Sequence, residues 1–305
     1  MAKKILHRTW RITCLCVVFF LVCPALPAQK KYQRLEKLDG EKLSCYFSTG
    51  SEEKARKIAA FCAKAMEYFT EVLNFTPEID VLVLNQNDWS DHTFFPVYGM
   101  PHYTDKKTLI VASDDNPFWQ SFIPAEGILP PSIMTMMEKV YRNDQGETSM
   151  EPFFQLLVIH ELGHAYSQQA GISMQRQWLG EFFCNLMLHT FVAEKYPAQL
   201  PALTLFPQIV INGGKEGYEF TTLDQLENNY VLIGTKHPKN YGWYQSLWHK
   251  GAADVYDAGG KEVLLKFWNA FKAIENEIKE EDLASILENN IHPSLARFYK
   301  NWNDE

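Results

Sequence analysis

The chain has 305 residues, 46% of them hydrophobic and 14% aromatic, enough to fill one large domain or two lobes. Its formal net charge is −8, an acidic balance that argues against nucleic acid and against anionic membrane surfaces as partners.

Residues 1–28 read as a signal peptide and not as part of the fold. Lys3, Lys4, Arg8 and Arg11 form a positive start, Ile12 to Leu26 an apolar run, and Leu26-Pro27-Ala28 a cleavage site before Gln29. The alternative is an uncleaved anchor. The run is short for a span, and Pro24 and Pro27 interrupt its end. Lipidation at Cys23 is disfavoured by the bulky Val22 before it. The expectation is an exported protein, periplasmic or secreted. Four cations and no acid leave with the signal, which takes the charge from −8 to −12. No later run is long or apolar enough to span a bilayer. Cys14, Cys16 and Cys23 leave too, and Cys45, Cys62 and Cys184 remain. Three is odd, so there is no disulfide framework; a Cys45–Cys62 pair is open, and buried thiols are favoured.

Residues 41–50 alternate, with Leu43, Cys45 and Phe47 on one side, and predict a strand. Residues 52–74 carry a helical stripe through Ile58, Phe61, Cys62, Ala65, Met66, Phe69 and Leu73, ended by Asn74 and Pro77. Ile79 to Leu84 is a continuous apolar run, a strand buried on both faces. Strand, helix and strand in this order suit a crossover into a mixed sheet. Residues 85–107 read as a long polar and aromatic loop, and Leu109 to Ala112 as a short strand. Residues 132–142 predict a short helix with Met136, Met137 and Tyr141 inward.

Pro152 suits the first turn of the next helix, which Gly171 ends and which carries His160-Glu161-Leu162-Gly163-His164. Histidines four apart share one helical face, so their imidazoles can converge on one metal ion. Zn²⁺ accepts neutral imidazole, and a catalytic site needs three protein ligands and a water. Glu161 stands beside the first histidine, where its carboxylate can take a proton from that water. Trp178-Leu179-Gly180-Glu181 opens a second helix, expected over Gln175 to Lys195, and Glu181 is the candidate third ligand. Asn185 follows one turn later, placed to bond a ligating imidazole. His189 lies on the same stripe and reads as a packed or surface histidine. Against all this stands chance occurrence of HExxH on an amphipathic helix, and the downstream WLGExxxN weighs against chance.

HELGH, with sixteen residues between His164 and Glu181 and WLGE around the latter, resembles the gluzincin zinc metallopeptidases, particularly the peptidase-MA-like group. The resemblance implies His160, His164 and Glu181 as zinc ligands and Glu161 as general base. It implies an α+β, zincin-like domain in two lobes. Residues 29–171 would form a small mixed sheet with helices, ending in the motif helix, and residues 172–305 a mainly helical lobe. It places the strand before the motif helix at an edge of the cleft, where an extended peptide could add; an ordinary core strand is the level alternative. Related aminopeptidases hold a free amino terminus with a Gly-x-Met-Glu-Asn stretch. Gly99-Met100-Pro101-His102 lacks that glutamate, so no aminopeptidase is expected. Phe182 stands where the family has a glycine, which bears on the cleft near Glu181.

Residues 197–220, punctuated by proline and glycine, read as a loop. Thr222 with Gln225 resembles a capping box. Residues 240–257 form an aromatic helix ending at Gly259-Gly260. In the resembling family a helix here presents a tyrosine to the oxyanion, which makes Tyr244 the candidate and Tyr241 the reserve; aromatic packing is the alternative for both. Residues 261–273 and 282–302 predict two more helices. The expected function is zinc-dependent hydrolysis of a peptide or protein substrate outside the cytoplasm. The alternatives are a non-catalytic binding protein on the same fold, or a zinc amidase acting on another substrate.

Overall fold

A computed structural model of the chain describes residues 32–40, 43–123, 127–143 and 145–302. The signal peptide expected over 1–28 lies outside the described residues. Strands β1 (Glu36–Lys37) and β2 (Ser44–Phe47) are antiparallel neighbours. Helix α1 (Glu52–Leu73) returns the chain to β3 (Asp80–Leu84), which lies parallel to β2. In β2 only Cys45 and Phe47 are buried, the period of two expected of a strand with one face on the core. In β3 all five residues are buried, because this strand has neighbours on both sides and helices over it. α1 lays Ala55, Ile58, Cys62, Ala65, Phe69 and Leu73 against the core. It stops where Asn74 turns left-handed at φ 49°, a conformation asparagine tolerates.

Residues 85–107 are more ordered than a loop. Asn85 Oδ1 accepts from the N–H groups of Asn87 and Asp88 and so opens α2 (Gln86–His92). β4 (His102–Thr104) then pairs antiparallel with β5 (Thr108–Ala112). The strand order is β1-β2-β3-β5-β4. β5 is thus an inner strand between β3 and β4, fully buried, and the edge beside the motif helix belongs to β4. Of the two level readings of the Leu109–Ala112 strand, the ordinary core strand is the one found. The short β4 escaped a reading based on apolar runs, because its three residues are only half-buried.

Short α3 (Pro117–Gln120) and α4 (Pro131–Val140) follow. In α4 Met137 is buried and Tyr141 just beyond is fully so, but Met136 is 49% exposed and does not point inward. Pro152 begins a separate turn, α5 (Glu151–Phe154), and the motif helix proper is α6 (Leu157–Gln169). α7 (Gln177–Lys195) is buried over most of its length and packs on α6. After a 3₁₀ turn (Pro197–Gln199) comes α8 (Leu200–Asn212), where a loop was expected. Its prolines misled: Pro201 sits in the first turn, where a missing N–H costs nothing, and Pro207 is carried inside a helix braced by α10.

α9 (Leu223–Lys236) opens with the capping box of Thr222 and Gln225. α10 (Pro238–Gly259) and α11 (Glu262–Ala273) run near the expected bounds. The last expected helix is two, α12 (Glu280–Ile286), prolonged by a π turn at Leu287–Ile291, and α13 (Pro293–Lys300), divided before Pro293. The class is α+β, a small mixed five-stranded sheet with many helices. The described residues from Arg34 onward form one compact unit. Cys45, Cys62 and Cys184 are buried. Among the described residues no helix is long and apolar enough to cross a membrane.

Candidate metal centre

α6 and α7 meet at Gly163. A Cβ placed there would stand 3.0 Å from both Cα and Sγ of Cys184. The missing side chain lets the two helices approach, and the approach carries Glu181 to the histidines. Glu181 Oε2 lies 3.0 Å from His160 Nε2, and Oε1 lies 3.6 Å from His164 Nε2. The two imidazoles stand 5.1 Å apart, one turn along the helix. Two donors held about 2.0–2.1 Å from a tetrahedral zinc ion stand roughly 3.3 Å apart. The observed 3.0 and 3.6 Å bracket that edge, so the donor set fits the ion.

The surroundings orient these ligands. Gln245 of α10 donates from Nε2 to Glu181 Oε2 (2.7 Å) and to the Tyr241 hydroxyl (2.8 Å). With its nitrogen so committed, its Oε1 accepts from Asn185 Nδ2 (2.8 Å). Asn185 therefore turns Oδ1 to His160, 3.1 Å from Nδ1. An imidazole that donates from Nδ1 keeps its Nε2 lone pair for a metal. The three side chains thus favour a proton on Nδ1, which would leave Nε2 for a metal; in the structure Nε2 faces Glu181 Oε2 at 3.0 Å. Tyr230 of α9 donates a short hydrogen bond to Glu181 Oε1, and its hydroxyl is 3.4 Å from that of Tyr241.

Charges follow from this packing. Burial would raise the Glu181 carboxyl, but His164, His160 and the Tyr230 bond together hold it well below the usual carboxylate range. Burial pulls His160 down, yet the bond and charge of Glu181 outweigh it and leave the imidazole raised. His164 is pushed down to about 4, chiefly by burial. Glu161 is raised to about 7 by burial, against the pull of His160 and of a backbone hydrogen bond from Tyr103 on edge strand β4.

Cys184 offers a second reading of the donor set, since His160, His164 and Cys184 each have a donor atom within 4.8 Å of the others. Ligation needs a thiolate. Burial, with the Glu181 and Glu161 carboxylates, raises the Cys184 thiol, and the Glu181 carboxylate touches both histidines. Both donor sets share His160 and His164, and Cys184 also fills the helix crossing at Gly163.

The remaining sequence candidates separate. Asn185 is where its expected role needs it. His189 is buried against Tyr256 (ring centroids 5.3 Å) and does not line the cleft. Tyr244 faces away: its hydroxyl donates to Thr222 O (2.7 Å) and its ring stacks on Trp302 and Trp248. Its neighbour one turn earlier, Tyr241, lines the cleft. Phe182 also leaves the cleft unobstructed; it packs against Phe298, in room left by Gly251. Tyr230, Gln245 and His249 were not singled out from sequence. Gln245 and His249 lie one turn and two turns beyond Tyr241, and that spacing was the available signal.

The cleft these residues line holds about 760 Å³ and has edge strand β4 along one side. Comparison of the chain with protein-family models, with curated proteins and with solved structures returns no match.

Proposed function

We propose that the protein is an exported zinc-dependent metallopeptidase of the gluzincin kind, with His160, His164 and Glu181 as ligands. The two-lobed zincin arrangement belongs to the same proposal, with the sheet and α6 on one side of the cleft and α7 onward on the other. The observation that carries it is the Glu181 carboxylate reaching both imidazoles while Glu161 lines the same cleft.

Zinc held by these donors would polarise the scissile carbonyl and make the attacking water acidic near neutral pH. Glu161 accepts the proton from that water and returns it to the leaving amine. Glu161 lines the same cleft, where its carboxylate can take and return that proton. The Tyr103 N–H from β4 orients the carboxylate.

Tyr241 is the better oxyanion donor. The Tyr230 proton is committed to Glu181, whereas the Tyr241 hydroxyl accepts from Gln245 and gives its proton only to the Tyr230 oxygen, 3.4 Å away, a long bond that an oxyanion can replace. A general base has no part in a purely structural metal site, which favours hydrolysis over the non-catalytic alternative.

The test is Glu161→Gln. The variant should bind zinc like the wild type and lose peptide cleavage, since an amide cannot accept the water proton. Cleavage at the wild-type rate would remove Glu161 as base. A zinc-loaded wild type that cuts no peptide in a broad library would remove the peptidase reading.

A further inference from the structure

Helix α7 starts without a cap of its own. The residue before it is Arg176, whose side chain makes no bond to the first turn. The guanidinium points instead to Glu280 Oε2 (3.0 Å) and Ile278 O (3.2 Å). The first N–H groups of a helix have no partner inside it. Here the partner comes from α9. Glu227 accepts from the Gln177 N–H with Oε2 (2.9 Å) and from the Trp178 N–H with Oε1 (3.0 Å). A carboxylate there also meets the positive pole of the helix.

Glu181 lies in the next turn of α7. Its carboxylate is held by Tyr230, which follows Glu227 by three residues on α9. α9 therefore grips one stretch of α7 twice, once by the backbone and once by the candidate ligand. Between the two grips the helix breaks. Asn229 leaves helical geometry at φ −130° and ψ 18°, and its Nδ2 donates to Gln225 O (2.9 Å). Glu227, Tyr230 and Glu181 all line the cleft.

A serine or aspartate at position 176 would satisfy the same N–H groups without help from another helix. What a cap from α9 adds is a fixed distance between the start of α7 and the element that carries Tyr230. That distance bears on where the Glu181 carboxylate stands, now 3.0 Å from His160 and 3.6 Å from His164. A metal ligand has little slack, about 0.2 Å in its distance to the ion.

We infer that Glu227 is a positioning residue for the metal centre, one half of a bracket whose other half is Tyr230, which holds Glu181 at the two histidines. The inference rests on the zinc reading above. Glu227 acts through the first turn of α7 and through Glu181, without touching the ion.

Glu227→Ala, Glu227→Gln and Tyr141→Phe test it. Tyr141 does not line the cleft, and its hydroxyl donates to Ala202 O (3.1 Å) and accepts from the Phe206 N–H (2.7 Å), so its loss weakens the fold away from the centre. Zinc affinity is read by competition with a chelator, and stability by the urea midpoint of metal-free protein. Glu227→Ala should bind zinc at least about 10-fold more weakly, as groups that orient a ligand do. Glu227→Gln keeps an acceptor oxygen and should recover part of that loss. At saturating Co²⁺ the visible spectrum of Glu227→Ala should differ from that of the wild type, since the bands of a bound transition metal follow its coordination geometry. Tyr141→Phe should lower the midpoint and leave zinc affinity and the cobalt spectrum alone. Should Glu227→Ala not fold, Glu227→Gln decides, and wild-type zinc affinity in it overturns the inference. Wild-type zinc affinity in Glu227→Ala, or an equal loss in Tyr141→Phe, does the same and leaves Glu227 a helix cap. The parent reading fails separately. A wild type that takes up no zinc sinks the centre and the bracket with it, whereas zinc binding without peptide cleavage sinks the hydrolase and leaves the bracket.

Discussion

Gly163 lies against Cys184 so closely that a Cβ on the glycine would stand 3.0 Å from the cysteine's Cα and Sγ. The contact sets how near α6 comes to α7, and so whether Glu181 reaches the histidines. Gly163→Val should push the helices apart, cost about 1–3 kcal/mol in stability as overpacking does, and weaken zinc binding. Denaturant midpoints and a chelator competition measure the two effects. Unchanged zinc affinity in a destabilised variant would show that the crossing does not set the ligand geometry.

Zinc affinity should rank the donors. His160→Ala, His164→Ala and Glu181→Ala should each lose the metal. Asn185→Ala and Gln245→Ala should cost about 10–100-fold, as groups that orient a ligand do. Cys184→Ala and His189→Ala should bind like the wild type. Titration against a zinc chelator orders all seven, and loss in Cys184→Ala with retention in Glu181→Ala would reverse the choice of third ligand.

The two tyrosines of α10 should part company. Tyr241→Phe should lower kcat with little change in zinc content, because a transition-state donor is removed. Tyr244→Phe should leave kcat alone and cost about 1 kcal/mol of stability, through the lost bond to Thr222 O. The opposite pattern would restore Tyr244 as the oxyanion donor.

Stability should fall in acid partly through His189. Burial lowers its pKa below 6.5, and Asp257 and Asp254 offset only part of that. A group whose folded pKa is depressed contributes stability that is present above the unfolded value, near 6.5, and is lost as pH falls from there toward the folded value. His189→Gln should therefore flatten the dependence of the urea midpoint on pH between 7.5 and 5. An unchanged slope would show that other groups carry the acid sensitivity.

The candidate centre was legible because groups that converge on one point must share faces of helices, and a spacing of four records that. His160, Glu161, His164, Glu181 and Asn185 could be named from their spacing. Gln245 and Tyr230 could not, because a hydrogen bond spanning 64 or 49 residues leaves no local pattern. The sequence reading preferred Tyr244 over Tyr241, because which of the two faces the cleft depends on the rotation of α10, which sequence spacing does not record. The sheet was readable in its long apolar strand, β3, and missed at β4, where three half-buried residues carry no periodicity. α8 was hidden by its prolines, whose cost depends on position within the helix.

Gln169, at the far end of α6, is bound to the sheet as another strand would be. Its side-chain amide accepts from Glu78 N–H and donates back to Glu78 O, both at 2.8 Å, and reaches Lys106 O and the Tyr103 hydroxyl at 2.9 Å. Tyr103 belongs to the strand whose backbone steadies Glu161. In mechanical terms the motif helix is a beam held at its middle, by the crossing at Gly163, and at its C-terminal end, by this amide clamp. A substrate laid along β4 would thus meet a base whose distance from the strand is held from below, and Gln169→Ala should loosen it. The amide of Tyr103 would then exchange its hydrogen faster with solvent.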